Sequence, residues 1–211
     1  MLVGERMSRP LITVTPDLSI HDALALFKQE RIRRAPVIKH GKLVGIVSEK
    51  DLLNASPSQA TSLSVWELNY LLSKLTVEKV MSRQVITIDE KTPIEEAARI
   101  MADKKIGGLP VMRDEQVVGI ITETNIFKLF LEFMGAREPG LRVTALLQDQ
   151  PGELARLTKA ITEAGGNFIA FGVFSGDDSG SKQVTFKVQG LTEEQARQAT
   201  LSTALKVYDI R

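Results

Sequence analysis

The chain has 211 residues, 43% of them hydrophobic, and its 27 Lys and Arg against 26 Asp and Glu leave a net charge of +1. That length allows one large or two small domains, while near-neutrality argues against nucleic acid or an anionic membrane as the main partner. The absence of cysteine excludes disulfides and zinc–thiolate sites, and with no apolar run near 18 residues and no signal-peptide core at Met1–Arg6, a cytoplasmic protein is expected.

In chain order, a short strand is expected at Leu11–Thr15. A helix follows with Ile20, Ala23, Leu24 and Phe27 on one stripe. Two apolar runs, Ala35–Ile38 and Leu43–Val47, flank the turn Lys39-His40-Gly41-Lys42, and a closing helix completes the unit. Residues 56–62 read as a polar loop, and Val65 to Leu75 as an amphipathic linker helix with Trp66 as a packing anchor. The pattern then starts again. Met7-Ser8-Arg9 returns as Met81-Ser82-Arg83, 74 positions on, and Pro36-Val37 and Val44-Gly45-Ile46 return at the same shift as Pro110-Val111 and Val118-Gly119-Ile120. The second copy has a strand at Val85–Asp89 and a helix with Thr92 as N-cap, Pro93 in its first turn and Glu95 closing a capping box. Leu109–Met112 and Val117–Ile121 are its paired runs, and Ile126, Phe127, Phe130, Phe133 and Met134 form one face of its closing helix. A repeated βαββα unit too small to bury its own core predicts two units packed about a pseudo-twofold axis with clefts between them.

Gly135 to Gly140 is rich in Gly and Pro and marks a boundary. Beyond it Leu141, Val143, Ala145 and Leu147 alternate with polar residues as a half-buried strand. A helix carrying Leu154, Leu157 and Ile161 ends at Gly165-Gly166, and Phe168–Phe174 reads as a strand apolar on both faces. A polar hairpin, the strand of Val184, Phe186 and Val188, a helix capped by Thr192 with Gln195, and the strand Leu205–Ile210 complete a βαββαβ order. The expected fold is α/β (α+β), with an antiparallel four-stranded sheet and two helices on one of its faces at the C-terminus.

Gly45-Ile46-Val47-Ser48-Glu49-Lys50-Asp51 and Gly119-Ile120-Ile121-Thr122-Glu123-Thr124-Asn125 resemble the closing signature of the CBS domain, found twice in register. Asp149-Gln150-Pro151-Gly152 and Gly165-Gly166-Asn167 resemble the ACT domain, whose fold is ferredoxin-like. A CBS pair followed by an ACT domain is similar to the AcuB family of acetoin-utilisation proteins. The implied organisation is CBS motif 1 at 1–55, a linker at 56–78, CBS motif 2 at 79–134, a linker at 135–140 and an ACT domain at 141–211.

The residues suggest their own chemistry. A ribose diol suits Asp51, which can accept two hydrogen bonds, better than Asn125, which offers one carbonyl and an NH₂. Ser48 and Thr122 open helices whose N–H groups suit phosphate, and Arg33 and Arg34 supply guanidinium donors. The equivalent positions in the second copy, Gly107 and Gly108, let a flat base approach the backbone. The plain alternatives are a helix-start charge for Asp51 and a solvated face for Arg31, Arg33 and Arg34. The CBS resemblance implies one adenine-nucleotide site from Ser48, Asp51, Arg33, Arg34, Met81, Ile86, Ile106, Gly107 and Gly108. It implies a second, weaker or empty site from Thr122, Asn125, Met7, Ile12 and Ile32. The ACT resemblance implies a small-effector site at Asp149, Gly152 and Asn167, and a homodimer.

No catalytic constellation is present. His21 and His40 lack metal-ligand spacing, and no phosphate-binding Gly-x-x-x-x-Gly-Lys-[Ser/Thr] loop or Gly-x-Ser-x-Gly elbow occurs. The leading expectation is a non-enzymatic regulator without metal or cofactor. It senses AMP, ADP or ATP and signals to a partner enzyme, with acetoin catabolism as the implied output. A ligand-free oligomerisation scaffold is the alternative, and a cryptic enzyme acting on a bound nucleotide is the third reading.

Overall fold

The computed structural model describes residues 1–55 and 74–211; the expected polar loop and Trp66 lie outside the described residues. By packing, the chain divides into two compact units, Met1–Ile126 and Phe127–Arg211. No helix among the described residues is long and apolar enough to cross a membrane.

In the first unit each repeat contributes a helix and a hairpin. The first has α2 (Ile20–Glu30), β1 (Arg34–Lys39), β2 (Lys42–Ser48) and α3 (Glu49–Asn54), after a one-turn helix α1 (Val3–Arg6). The second has the matching one-turn helix α4 (Val77–Val80), then β3 (Ile88–Asp89), α5 (Ile94–Lys104), β4 (Gly108–Arg113) and β5 (Gln116–Thr122), and its closing helix α6 (Glu123–Phe133) starts in this unit and continues past Ile126 into the next. The apolar stripe of α2 buries Ile20, Ala23 and Phe27, and that of α5 buries Ile94, Ala97 and Met101. Both helices end on a left-handed residue, Arg31 and Lys105, each at φ 53°. Their hairpin turns repeat the same device with His40 and Asp114.

Two sequence expectations change here. The leading strands are shorter than Leu11–Thr15 and Val85–Asp89: only Val14 bridges Val37 in the first copy, and only Ile88–Asp89 pairs with β4 in the second. Thr92 does not cap α5, whose N-cap falls one residue later on Pro93 and makes no side-chain cap. Its first N–H, from Ile94, instead donates to Met1 O at 3.2 Å, and the Thr92 carbonyl accepts from Val3 N–H at 2.9 Å.

That exchange is half of a symmetric one. Ile20 N–H donates to Leu75 O at 2.8 Å, and Val77 N–H donates to Leu18 O at 2.9 Å. The segment before each repeat therefore docks on the first helix of the other repeat, shift for shift. The two copies complete one another's helix starts, so neither is a separable domain.

The second unit has β6 (Leu141–Gln148), α7 (Glu153–Glu163), β7 (Asn167–Ser175), β8 (Ser181–Gln189), α8 (Glu193–Leu201) and β9 (Lys206–Ile210). The sheet order is β7-β8-β6-β9, with every pairing antiparallel, the arrangement of a ferredoxin-like βαββαβ fold. Leu157, Ile161 and Ala196 share one core with Val143, Ala145, Leu147, Val184, Phe186 and Val188, which places both helices on one face. Leu154, expected in that stripe, is 42% exposed instead. Thr192 and Gln195 do form a capping box on α8. The expected linker at 135–140 is tied to this sheet through Lys187 Nζ, which donates to Gly135 O at 3.0 Å. The apolar face read on the closing helix is not a core face: α6 buries none of its residues, and Phe127, Phe130 and Phe133 are exposed.

Candidate functional site

The repeated residues are the two halves of two equal contacts. Met81 lies on Gly45, where a Cβ would come within 2.6 Å of the sulfur, and Met7 lies on Gly119, where a Cβ would come within 2.9 Å of its Cγ. Beside each methionine a serine pairs with the strand: Ser82 N–H donates to Ile46 O at 2.9 Å, and Ser8 N–H to Ile120 O at 2.9 Å. A side chain larger than hydrogen at 45 or 119 would push the other repeat's methionine off the strand. So Met81 approaches the Ser48–Asp51 end of the first repeat, and Met7 the Thr122–Asn125 end of the second.

At the first end Asp51 Oδ2 accepts from Ser48 N–H at 2.9 Å and from Ser48 Oγ at 2.6 Å. At the second, Asn125 Oδ1 accepts the same two bonds from Thr122, at 2.9 and 2.6 Å. Two expectations are corrected by this geometry. The N–H groups of Ser48 and Thr122 are not free for phosphate, because the residue three positions on takes them. The next N–H groups are also used, Glu49 donating to Arg33 O at 2.8 Å and Glu123 to Gly107 O at 3.2 Å. Asp51 likewise does not offer both oxygens: one caps α3, and only Oδ1 is without a partner among the described residues.

The ends differ in the remaining atom. Asn125 Nδ2 reaches Ser8 Oγ at 3.2 Å, so the amide is held on both sides, whereas Asp51 keeps an open carboxylate oxygen. Ser8, whose hydroxyl meets Asn125, belongs to this end as well, and the repeated Met-Ser-Arg triplet marks its position.

Arg34 lies between the two motifs. Its guanidinium sits on Gly107, where a Cβ would also be 2.7 Å from Glu123 Oε2, and its Cδ lies 2.9 Å from a Cβ built on Gly108. The glycines make room for this arginine, a role the sequence reading assigned to a base. Burial draws the Arg34 guanidinium below its ordinary value, opposed by the charge of Glu123 and then of Asp51. Arg33 is exposed, Ile86 is 40% exposed, and Ile12, Ile32, Ile106 and Gly107 are half-buried. A cleft of about 600 Å³ elsewhere in the unit involves Lys42 and Thr87 with Asp89, Asp114 and Glu115. None of the expected site residues lines it, and three carboxylates suit no phosphate.

In the second unit the expected effector trio does not come together within one chain. Gln148 pairs with Ser181, and Asn167 pairs with Gln189 at the opposite end of β8. Asp149 and Gly152 therefore follow one end of the sheet while Asn167 starts from the other, a strand length of roughly 25 Å away. Asp149 pairs with Lys182 at 3.2 Å, and Gly152 takes φ 93° before α7 with open space at its Cβ position.

The comparisons agree with the geometry of the first unit. The CBS-domain family model matches residues 3–58 and 77–132. Among curated relatives, the L-aspartate semialdehyde sulfurtransferase of Methanocaldococcus jannaschii is 34% identical over 131 residues, 61% of this chain and 23% of that protein. The chloroplastic CBS domain-containing protein CBSX1 of Arabidopsis thaliana is 36% identical over 151 residues, 62% of this chain and 64% of that one. The chain thus spans under a quarter of the sulfurtransferase and under two thirds of CBSX1. Among solved structures, the CBS pair of protein MJ0100 with 5′-methylthioadenosine and S-adenosyl-L-methionine superposes at TM-score 0.52 with 33% identity, over 65% of this chain and 98% of that one. CBSX2 in complex with AMP matches at TM-score 0.52 with 30% identity, over 62% of this chain and 96% of that one. A Vibrio cholerae protein assigned to acetoin utilization (AcuB) matches at 0.53 with 29% identity, over 65% of this chain and 96% of that one. With both family matches falling on the two halves of the interlocked repeat, the chain belongs to the CBS-domain family and carries a tandem CBS pair.

Proposed function

We propose that this protein is a non-enzymatic regulator that binds an adenine nucleotide in the cleft of its CBS pair. The observation that carries the reading is the asymmetry between the two motifs: among the described residues Asp51 keeps a free carboxylate oxygen, while Asn125 is tied to Ser8. A free carboxylate oxygen suits a ribose hydroxyl, and structural neighbours hold AMP, 5′-methylthioadenosine and S-adenosyl-L-methionine in CBS pairs. The Asp51 cleft is the main site, with AMP, ADP or ATP as ligand, and the Asn125 cleft is weak or empty. Ligand binding biases the packing of one motif on the other, since each completes the other's helix starts.

The βαββαβ unit acts as an ACT domain that forms a homodimer, supported by its strand order and by the apolar edge strand β7, where Val173 and Phe174 are each 45% exposed. The output is a partner enzyme, with acetoin utilisation favoured by the likeness to the Vibrio cholerae protein. Calorimetric titration with AMP, ADP, ATP, NAD and S-adenosylmethionine tests the reading. Saturable binding of one of them, weakened in Asp51→Ala and kept in Asn125→Ala, is expected; no binding of any leaves the scaffold reading in its place.

A further inference from the structure

The boundary between the two compact units, Ile126 to Phe127, falls inside α6 and not in the Gly- and Pro-rich stretch 135–140 that follows it. The helix that carries the chain across has little support along its length. None of its 11 residues is buried, and Phe127, Phe130 and Phe133 are exposed. Its counterpart α3 has 6 residues and the fully buried Leu52, whereas the equivalent Ile126 is half-buried. A helix shorter than about 12–15 residues is marginal in water unless packing supports it. Most of the support for α6 therefore comes from its two ends.

At the start, Asn125 Oδ1 accepts from the N–H and hydroxyl of Thr122, and Asn125 Nδ2 donates to Ser8 Oγ at 3.2 Å. Ser8 belongs to the segment that precedes the first repeat, so the start of the helix is tied to the packing of one repeat on the other. At the end, Gly135 is buried with φ 57°, and a Cβ there would lie 2.7 Å from Ile169 Cγ2 in β7. Lys187 of β8 donates from Nζ to Gly135 O at 3.0 Å and to Glu138 O. One end of α6 is thus held by the CBS pair and the other by the four-stranded sheet.

We propose that α6 is a two-state coupling helix, and that Asn125 is the residue through which the CBS pair acts on the βαββαβ unit. Nucleation is costly and little packing holds the middle, so the helix keeps or loses its turns together. A change in repeat packing that breaks the Ser8–Asn125 bond weakens the start of α6 and lowers the order of its last turn, where the sheet receives the chain. The coupling runs both ways, so loosening the Lys187 clamp is felt at Asn125. The trigger rests on the adenine-nucleotide reading, but the two-state helix does not.

The experiment is hydrogen–deuterium exchange on the full chain with one substitution at each end. Ser8→Ala removes the tie to the other repeat and leaves the Thr122 cap in place. Lys187→Met keeps the apolar stem and removes the clamp. Each is expected to speed exchange at both ends of 127–134 alike, by roughly fivefold for the neutral bond of Ser8 and roughly tenfold or more for the charged one of Lys187. Amides in the cores of α2, β6 and β8 keep their wild-type rates. A rise confined to the substituted end, no rise, or an equal rise throughout the cores overturns the proposal. AMP is then added, and it should change α6 exchange several-fold in wild type but not in Ser8→Ala. AMP that binds without changing α6 exchange also overturns the proposal. If AMP does not bind, the nucleotide reading falls, and matched rises from the two substitutions still uphold the helix.

Discussion

Asp51 has two separable jobs, and a pair of substitutions divides them. One oxygen, Oδ2, accepts from the N–H and hydroxyl of Ser48 and so closes the capping box of α3. The helix is short and carries the fully buried Leu52, so a loosened start disturbs the core as well as the cap. Removing the acceptor in Asp51→Ala leaves both Ser48 donors short of a partner, a loss of about 1–2 kcal/mol. Asp51→Asn should cost under about 0.5 kcal/mol, because the second motif already shows an asparagine making the same two bonds at the same distances. Binding sorts the variants differently. Both replace the free Oδ1, and the loss of a charged acceptor to a ribose hydroxyl is worth about 1.5–3 kcal/mol, or roughly 10- to 100-fold in Kd. Urea unfolding and calorimetric titration with AMP, run on the same three proteins, read the two effects independently. An Asn variant as unstable as the Ala variant would refute the capping argument. An Asn variant that binds AMP as tightly as wild type would show that Oδ1 does not touch the ligand.

Three further outcomes are expected. Gly45→Ala and Gly119→Ala should each destabilise by about 1–3 kcal/mol through overpacking against the opposite methionine. Part of that loss should return in Gly45→Ala/Met81→Ala, read as a double-mutant cycle by urea denaturation. Thr92→Ala should change stability by less than about 0.5 kcal/mol, since Thr92 caps nothing, whereas Thr192→Ala should cost about 1 kcal/mol because its side chain caps α8; equal losses would contradict the helix starts described above. The hydrogen bond from Arg113, aided by its charge and that of Arg9, holds the Glu90 carboxyl below its ordinary 4.5. A lowered folded value means that the contribution is complete above pH 4.5 and fades as pH falls through that lowered value. Urea midpoints taken from roughly pH 7 down to pH 3 should therefore drop less steeply in Glu90→Gln than in wild type, and parallel curves would count against the pair.

Periodicity and repetition alone determined a good deal of this protein. The stripes of Ile20, Ala23 and Phe27 and of Ile94, Ala97 and Met101, the hairpins that follow them, and the βαββαβ order after residue 140 all read directly from spacing, because each rests on local chain geometry. The Gly-x-x-Ser-x-x-Asp pattern marked a helix start for the same reason. Tertiary structure decided which atoms remain available. The Ser48 and Thr122 amides looked open to phosphate in the sequence, but a cap bond three residues away closes them. Thr92 looked like a cap, but the carbonyl of Met1, distant in sequence, had already satisfied the helix start. Asn167 looked like a partner for Asp149, but strand direction sends them to opposite ends of the sheet. Gly107 and Gly108 looked like room for a base, and the structure gives that room to Arg34. Spacing along a chain reports which face a residue occupies; which neighbour uses its last donor or acceptor depends on segments many residues away, and only their packing decides it.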